Sequence, residues 1–186
     1  MINHKGTQEI RTERLLLRKI LPEDAEAVYK WMSDPEVCRY ECFKPHPSVG
    51  WSHGYILEVF GDYKSDKLYW WGIQLGDELI GSVCVVDVDD HDRRALLGYA
   101  LRRDCWSKGY TTEAVKAVLH YMFNEIGLNR IEATHSVNNP ASGRVLQQAG
   151  FILEGRAKEY HLCNSGLEDN DLYGLTKTTY EKNAAG

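Results

Sequence analysis

The sequence predicts an α/β domain, with strands and helices sharing one core, and three observations carry that expectation. β-rich apolar runs recur at 68–75, 78–86, 94–101 and 130–137. Ala114, Val115, Val118, Leu119, Met122, Phe123 and Ile126 instead repeat at three- and four-residue spacing, which places them on one face of a helix. The run 94–101 passes through a short loop into that helix, and 130–137 opens in the same way into a second one.

The 186 residues suffice for one continuous core without staples, so a single domain over 1–186 is expected, its core spanning about 9–180. The formal charge is −5 and no Lys/Arg-rich block occurs, which argues against nucleic acid as the main ligand and leaves room for a cationic substrate. Five scattered cysteines form no C-x-x-C pair, so neither a disulfide framework nor a zinc site is suggested and a reducing cytoplasm fits. Charges throughout residues 1–20 exclude a signal-peptide core, and no apolar run reaches the length of a membrane span.

Residues 1–8 are polar and read as loose, and Leu15-Leu16-Leu17 within 9–19 marks a first strand. Pro22, Glu23 and Asp24 suit a helix start, and Ala27, Val28, Trp31 and Met32 give that helix an apolar side. The stretch 39–47, with Pro45 and Pro47, should be irregular. Ser48 is placed to cap a helix through Trp51, Tyr55, Ile56 and Val59, either a wall over a site or plain packing. Gly76-Asp77 joins two strands as a hairpin. The acidic run 87–92 does not make a calcium loop, because its sixth and twelfth positions are Asp92 and Gly98 rather than glycine and glutamate, and it reads as a solvated turn. Gly127 ends the long helix, Asn139 and Pro140 open the next, and 151–163 with 171–176 form a closing hairpin around Asn164-Ser165-Gly166.

The chain is organised around Trp106-Ser107-Lys108-Gly109-Tyr110-Thr111-Thr112. A loop at a helix start offers unpaired backbone N–H groups and the positive dipole end to an anion. Neither the P-loop pattern nor the dinucleotide fingerprint is present. The window 106–111, with Gly109 at its centre, resembles the pyrophosphate-binding loop of the GNAT N-acetyltransferases. Trp106 matches their branch that acetylates ribosomal-protein N-termini, while Ser107 and Thr111 stand where small residues are usual. Asn139-x-x-Ser142 followed by Gly150-Phe151, and Pro22-Glu23-Asp24 before the first helix, are in register with the same family.

The resemblance implies a mixed, mostly antiparallel central sheet that splays between two parallel strands, 94–101 and 130–137, flanked by helices. Acetyl-CoA would be the co-substrate, with no metal. Its arm would pair with the backbone of Tyr99, Ala100, Leu101 and Arg102, its pyrophosphate would sit on Ser107 to Thr112 with Lys108 beside it, and Asn139 and Ser142 would face the thioester. Acceptor contacts are expected from Trp31, Arg39 and Tyr40. Ser142 is the candidate proton donor to the departing thiolate, with Tyr160 as its rival. Alternation on the strand 156–163 puts Glu159 and His161 on one face, and either is a candidate base or a solvent-facing strand residue. The implied activity is acetyl transfer to a primary amine, foremost a protein N-terminus, otherwise a polyamine, amino acid or antibiotic. A non-catalytic acyl-CoA-binding module is the reading from outside enzymology. Relatives often dimerise, so a homodimer is also implied, and neither nucleic acid nor membrane is expected as a partner.

Overall fold

The computed structural model describes residues 2–60, 63 and 65–185. Its strands are β1 (Ile10–Arg11), β2 (Leu15–Arg18), β3 (Tyr69–Leu75), β4 (Glu78–Asp89), β5 (Arg94–Leu101), β6 (Arg130–Ser136), β7 (Ile152–Cys163) and β8 (Gly166–Thr176). They form one sheet in the order β1-β2-β3-β4-β5-β6-β8-β7. β5 and β6 pair parallel, and the other neighbours pair antiparallel. The helices are α1 (Ala25–Met32), α2 (Pro35–Cys38), α3 (Val49–Phe60), α4 (Tyr110–His120), α5 (Pro140–Gln148) and α6 (Lys177–Ala185).

The apolar stripe of α4 does what its spacing predicts. Ala114, Val115, Val118 and Leu119 are buried in one core with Trp71, Val83 and Leu97 of the sheet. The helix continues as a π-helical turn, Tyr121–Ile126, and stops at Gly127, whose φ of 88° suits a residue without a Cβ. A second cluster joins Val28, Trp31 and Met32 of α1 to Ile56 of α3 and Leu79 of β4. Helix α3 therefore packs on α1, and Ser48 caps it by accepting from the Trp51 amide at 3.2 Å.

Four expectations need correction. Residues 2–8 are not loose: Thr7 is buried, Gly6 N–H donates to the Asp66 carbonyl at 2.7 Å, and His4 bonds Tyr69 and Asp90; Met1 lies outside the described residues. The closing hairpin is longer than read, since β8 begins at Gly166. Helix α6 follows it, a segment whose weak apolar patterning gave no signal. Strict alternation along β7 also fails. Ala157 pairs with Asn170 and His161 with Glu168, four steps on one strand against two on the other. The surplus forms a bulge, with Glu159 at φ 47° and its N–H turned to the Asp169 carboxylate at 2.9 Å. Among the described residues no helix is long and apolar enough to cross a membrane, and no cluster of His, Cys, Asp or Glu is arranged to hold a metal ion.

Candidate active site

β5 and β6 pair only where Arg94–Leu96 meet Arg130–Glu132. Beyond that, β5 stays on β4 as far as Leu101, while β6 follows β8 as far as Ser136. The two strands part, and each turns an unpaired backbone edge towards the gap. Exposed backbone donors and acceptors in a cleft are a template for an extended polar chain. A cavity of about 550 Å³ opens there, bounded by Tyr99–Leu101, the β5–α4 loop, the start of α5 and residues 36–41.

The loop reaches α4 through Gly109, whose φ of 81° makes the turn. The first-turn amides of α4 have no carbonyl inside the helix to receive them. Arg14 braces this loop from behind: its guanidinium donates to the Lys108 carbonyl at 3.1 Å, lies 4.6 Å from the Tyr110 ring centre and pairs with Glu113 at 2.6 Å. Trp106 donates its indole N–H to the Leu101 carbonyl at 2.7 Å, closing the end of β5. Asn139 caps α5, accepting from the Ser142 amide at 3.4 Å. The Tyr99 hydroxyl lies 2.8 Å from Ser142 Oγ and donates towards the Ser142 carbonyl at 3.0 Å. Burial drives the Tyr99 phenol well above its ordinary value, so it stays protonated near neutrality.

The other end of the cavity is made by the segment after α2. Asn164, at the β7–β8 turn, donates from Nδ2 to the carbonyls of Cys38 (2.8 Å), Phe43 (2.8 Å) and Glu41 (3.3 Å). Ser165 N–H donates to the Arg39 carbonyl at 3.0 Å. Tyr40 donates to the Asn138 carbonyl at 2.9 Å, and Asn138 Nδ2 donates to the buried Glu168 carboxylate at 2.6 Å. Hydrogen bonds from Ser136, Ser165 and Asn138 hold the Glu168 carboxyl below the usual carboxylate range. Glu41 has the opposite surroundings: burial pushes its carboxyl up to about 7.

Tyr99, Ala100, Leu101, Trp106, Ser107, Gly109, Tyr110, Thr111, Thr112, Asn139, Ser142, Arg39 and Tyr40 all border this cavity. Six residues named from the sequence do not. Trp31 is buried in the α1–α3 core. Arg102 turns away to Glu78 and Asp104, and Lys108 projects from the loop into solvent. Glu159 sits in the β7 bulge and His161 opposite Glu168, neither on the cavity wall; Tyr160 is likewise exposed. The side chains of β5 also matter more than backbone pairing suggests, because Leu101 is buried. Glu41, Arg144 and Gln148 border the cavity and were not anticipated. Arg144 and Gln148 were findable, at helical spacing from Ala141 on the α5 face that begins at the Asn139 cap. Glu41 had no local signal.

The profile of the acetyltransferase (GNAT) domain matches residues 14–152. The chain belongs to this family. It is similar to the N-acetyltransferase YoaA of Bacillus subtilis, 33% identical over 170 residues covering 90% of this chain and 96% of the relative. The ribosomal-protein-serine acetyltransferase of Escherichia coli is 32% identical over 97 residues, 52% of this chain and 54% of the relative. Among solved structures, a GNAT-family acetyltransferase from Bacillus anthracis superposes with a TM-score of 0.78 at 26% identity, covering 92% of this chain and 99% of its own. This GNAT chain is an N-acetyltransferase that uses acetyl-CoA. The splayed β5–β6 edges, the helix-start amides and the cavity between them fit that co-substrate, whose thioester supplies an activated acetyl carbon.

Proposed function

We propose that this enzyme acetylates a protein or peptide N-terminal α-amine in the cytoplasm, by direct attack on the thioester in a ternary complex, the whole chain acting as one domain. One observation carries the reading: a single cavity runs from the start of α4 to Glu41, so both substrates can be bound together. In this scheme the amides of Ser107 to Thr112 hold the pyrophosphate, and the free edge of β5 pairs with the pantetheine arm. Asn139 keeps the start of α5 in place, and Ser142, backed by the Tyr99 hydroxyl, supplies the proton that the departing sulfur needs.

The acceptor class follows from proton chemistry. An α-amine of reference pKa near 8 is roughly a tenth neutral at pH 7, whereas a lysine-type amine near 10.4 is only about 0.04% neutral. That difference is worth about 3 kcal/mol of the barrier. A carboxylate with a pKa near 7 can relieve the first of these acceptors far more readily than the second. Similarity to a ribosomal-protein-serine acetyltransferase supports the same class. A small cationic amine is the second reading, favoured by the two carboxylates, Glu36 and Glu41, on the acceptor side of the cavity.

The test is thiol release from acetyl-CoA with peptides bearing free Ser, Ala or Met N-termini, set against polyamines, amino acids and aminoglycosides. Turnover of the peptides at a kcat/KM at least tenfold above every small amine is the expected result. Turnover confined to small amines would establish the second reading, and binding of acetyl-CoA without any turnover would leave a non-catalytic module.

A further inference from the structure

We infer that Glu41 is the residue that takes the proton from the attacking amine. This rests on the reading of the cavity as the place where amine and thioester meet, whichever amine is used. Three observations converge on it.

Glu41 lies on the wall of the cavity that Tyr99 and Ser142 also line. It is fixed there by main-chain bonds: its N–H donates to the Cys38 carbonyl at 3.0 Å and its carbonyl receives Asn164 N–H at 3.2 Å. A carboxylate on a backbone held at both ends can meet an amine repeatedly in one geometry.

The thiols and phenols that feel the Glu41 charge are neutral near pH 7, and the charged side chains on the same cavity wall, Glu36, Arg39 and Arg144, form no ion pair with it among the described residues. Its charge is felt by Cys38 of α2, Tyr55 of α3, Cys84 of β4, Tyr99 of β5 and Cys163 of β7. Burial raises every one of these thiols and phenols, Cys38 to about 11 and Tyr55 and Cys84 to about 12. Among the described residues no cation pairs with Glu41. Arg39, two residues away, is turned to Glu36 at 3.8 Å and lies over the Tyr40 ring. A carboxylate used for structure is normally paired or well hydrogen-bonded when it leaves water, as Glu168 is. An unpaired one in a cavity is available to a ligand proton.

The step balances without any further reactant. The acceptor nitrogen forms its bond to the acetyl carbon, and the carbon–sulfur bond breaks with its electron pair going to sulfur. One N–H proton passes to a Glu41 oxygen as the nitrogen becomes an amide. The sulfur takes its proton from the Ser142–Tyr99 pair, which recovers it from water, and Glu41 returns its own proton to water.

The experiment uses Glu41→Gln and Glu41→Asp with the best amine found in the acceptor panel, peptide or small, so that a wrong acceptor class does not decide it. The wild-type kcat/KM profile should fall on the acid side with two ionisations, one near pH 7 from Glu41 and one from the acceptor amine. In Glu41→Gln, kcat should fall by about 100-fold and the acid limb should keep only the amine's ionisation, with acetyl-CoA affinity within twofold by calorimetry. Glu41→Asp should recover part of the rate. A readout independent of turnover comes from melting temperature. A carboxyl raised above its unfolded value costs the folded state stability as pH climbs past the unfolded pKa, so the Tm of Glu41→Gln relative to wild type should increase from pH 5 to pH 8. Retention of both acid-side ionisations in Glu41→Gln, a rise in KM with kcat unchanged, or a Tm difference independent of pH would each overturn the assignment.

Discussion

The two ends of the cavity are built on different principles. The end proposed for the acetyl donor is made by backbone: two strand edges that part after Leu96, and the amides of a helix that starts at Gly109. Its long-range support is the brace from Arg14 to the Lys108 carbonyl and Glu113. The end proposed for the acceptor is made by side chains reaching across the chain, Asn164 to carbonyls more than a hundred residues earlier and Tyr40 to Asn138. A backbone site tolerates sequence change while it keeps its dihedrals. A site stapled by side chains can be reshaped by single substitutions, which suits the half of the enzyme that must choose an acceptor.

The comparison breaks most readily at Asn164. Asn164→Ala leaves the carbonyls of Cys38, Glu41 and Phe43 without this donor. Two well-formed bonds at roughly 1 kcal/mol each predict about a 30-fold loss. The loss should appear in kcat/KM for the amine, with calorimetric acetyl-CoA affinity changed less than twofold. An equal loss of acetyl-CoA affinity would show the two ends to be one cooperative unit.

Gly109→Ala is the matching change at the donor end. A Cβ at φ 81° is strained, and Arg14 Nη2 stands 3.4 Å from where it would sit. A left-handed conformation costs a residue with a side chain about 1–2 kcal/mol. If the loop shifts to relieve that strain, acetyl-CoA binding should weaken by roughly tenfold while the acceptor KM is preserved at saturating acetyl-CoA. Unchanged acetyl-CoA affinity would mean that the amides after Gly109 do not hold the co-substrate.

The same division governs what a reader of the sequence could see. Asn139 was legible from a local capping rule, and Gly109 and Ser142 from resemblance to the family's loop and N-x-x-S pattern; all three border the cavity. The α4 stripe was legible because a helix face repeats every few residues. Glu41 was illegible because its character comes from burial, in a cavity whose walls the fold assembles from segments distant in the chain. Trp31 sits on an apolar stripe that the sequence shows, but only the packing of α3 over α1 seals it from the cavity. Glu159 and His161 were placed by an alternation that holds until a bulge, and the bulge depends on the partner strand.

The smallest effect tests the donor end by its charges. Lys108 belongs to the loop motif but extends into solvent, whereas Arg144, absent from any motif, is on α5 at the cavity wall. Exposed charges contribute on the order of 0–1 kcal/mol and are screened by salt. A phosphate that approaches Arg144 should lose several-fold affinity in Arg144→Ala, more at 50 mM than at 300 mM salt. Lys108→Ala should change acetyl-CoA affinity by less than about twofold at either salt concentration. The reverse ranking would mean that the loop lysine folds back over the bound phosphates, and that the donor end, like the acceptor end, depends on a side chain after all.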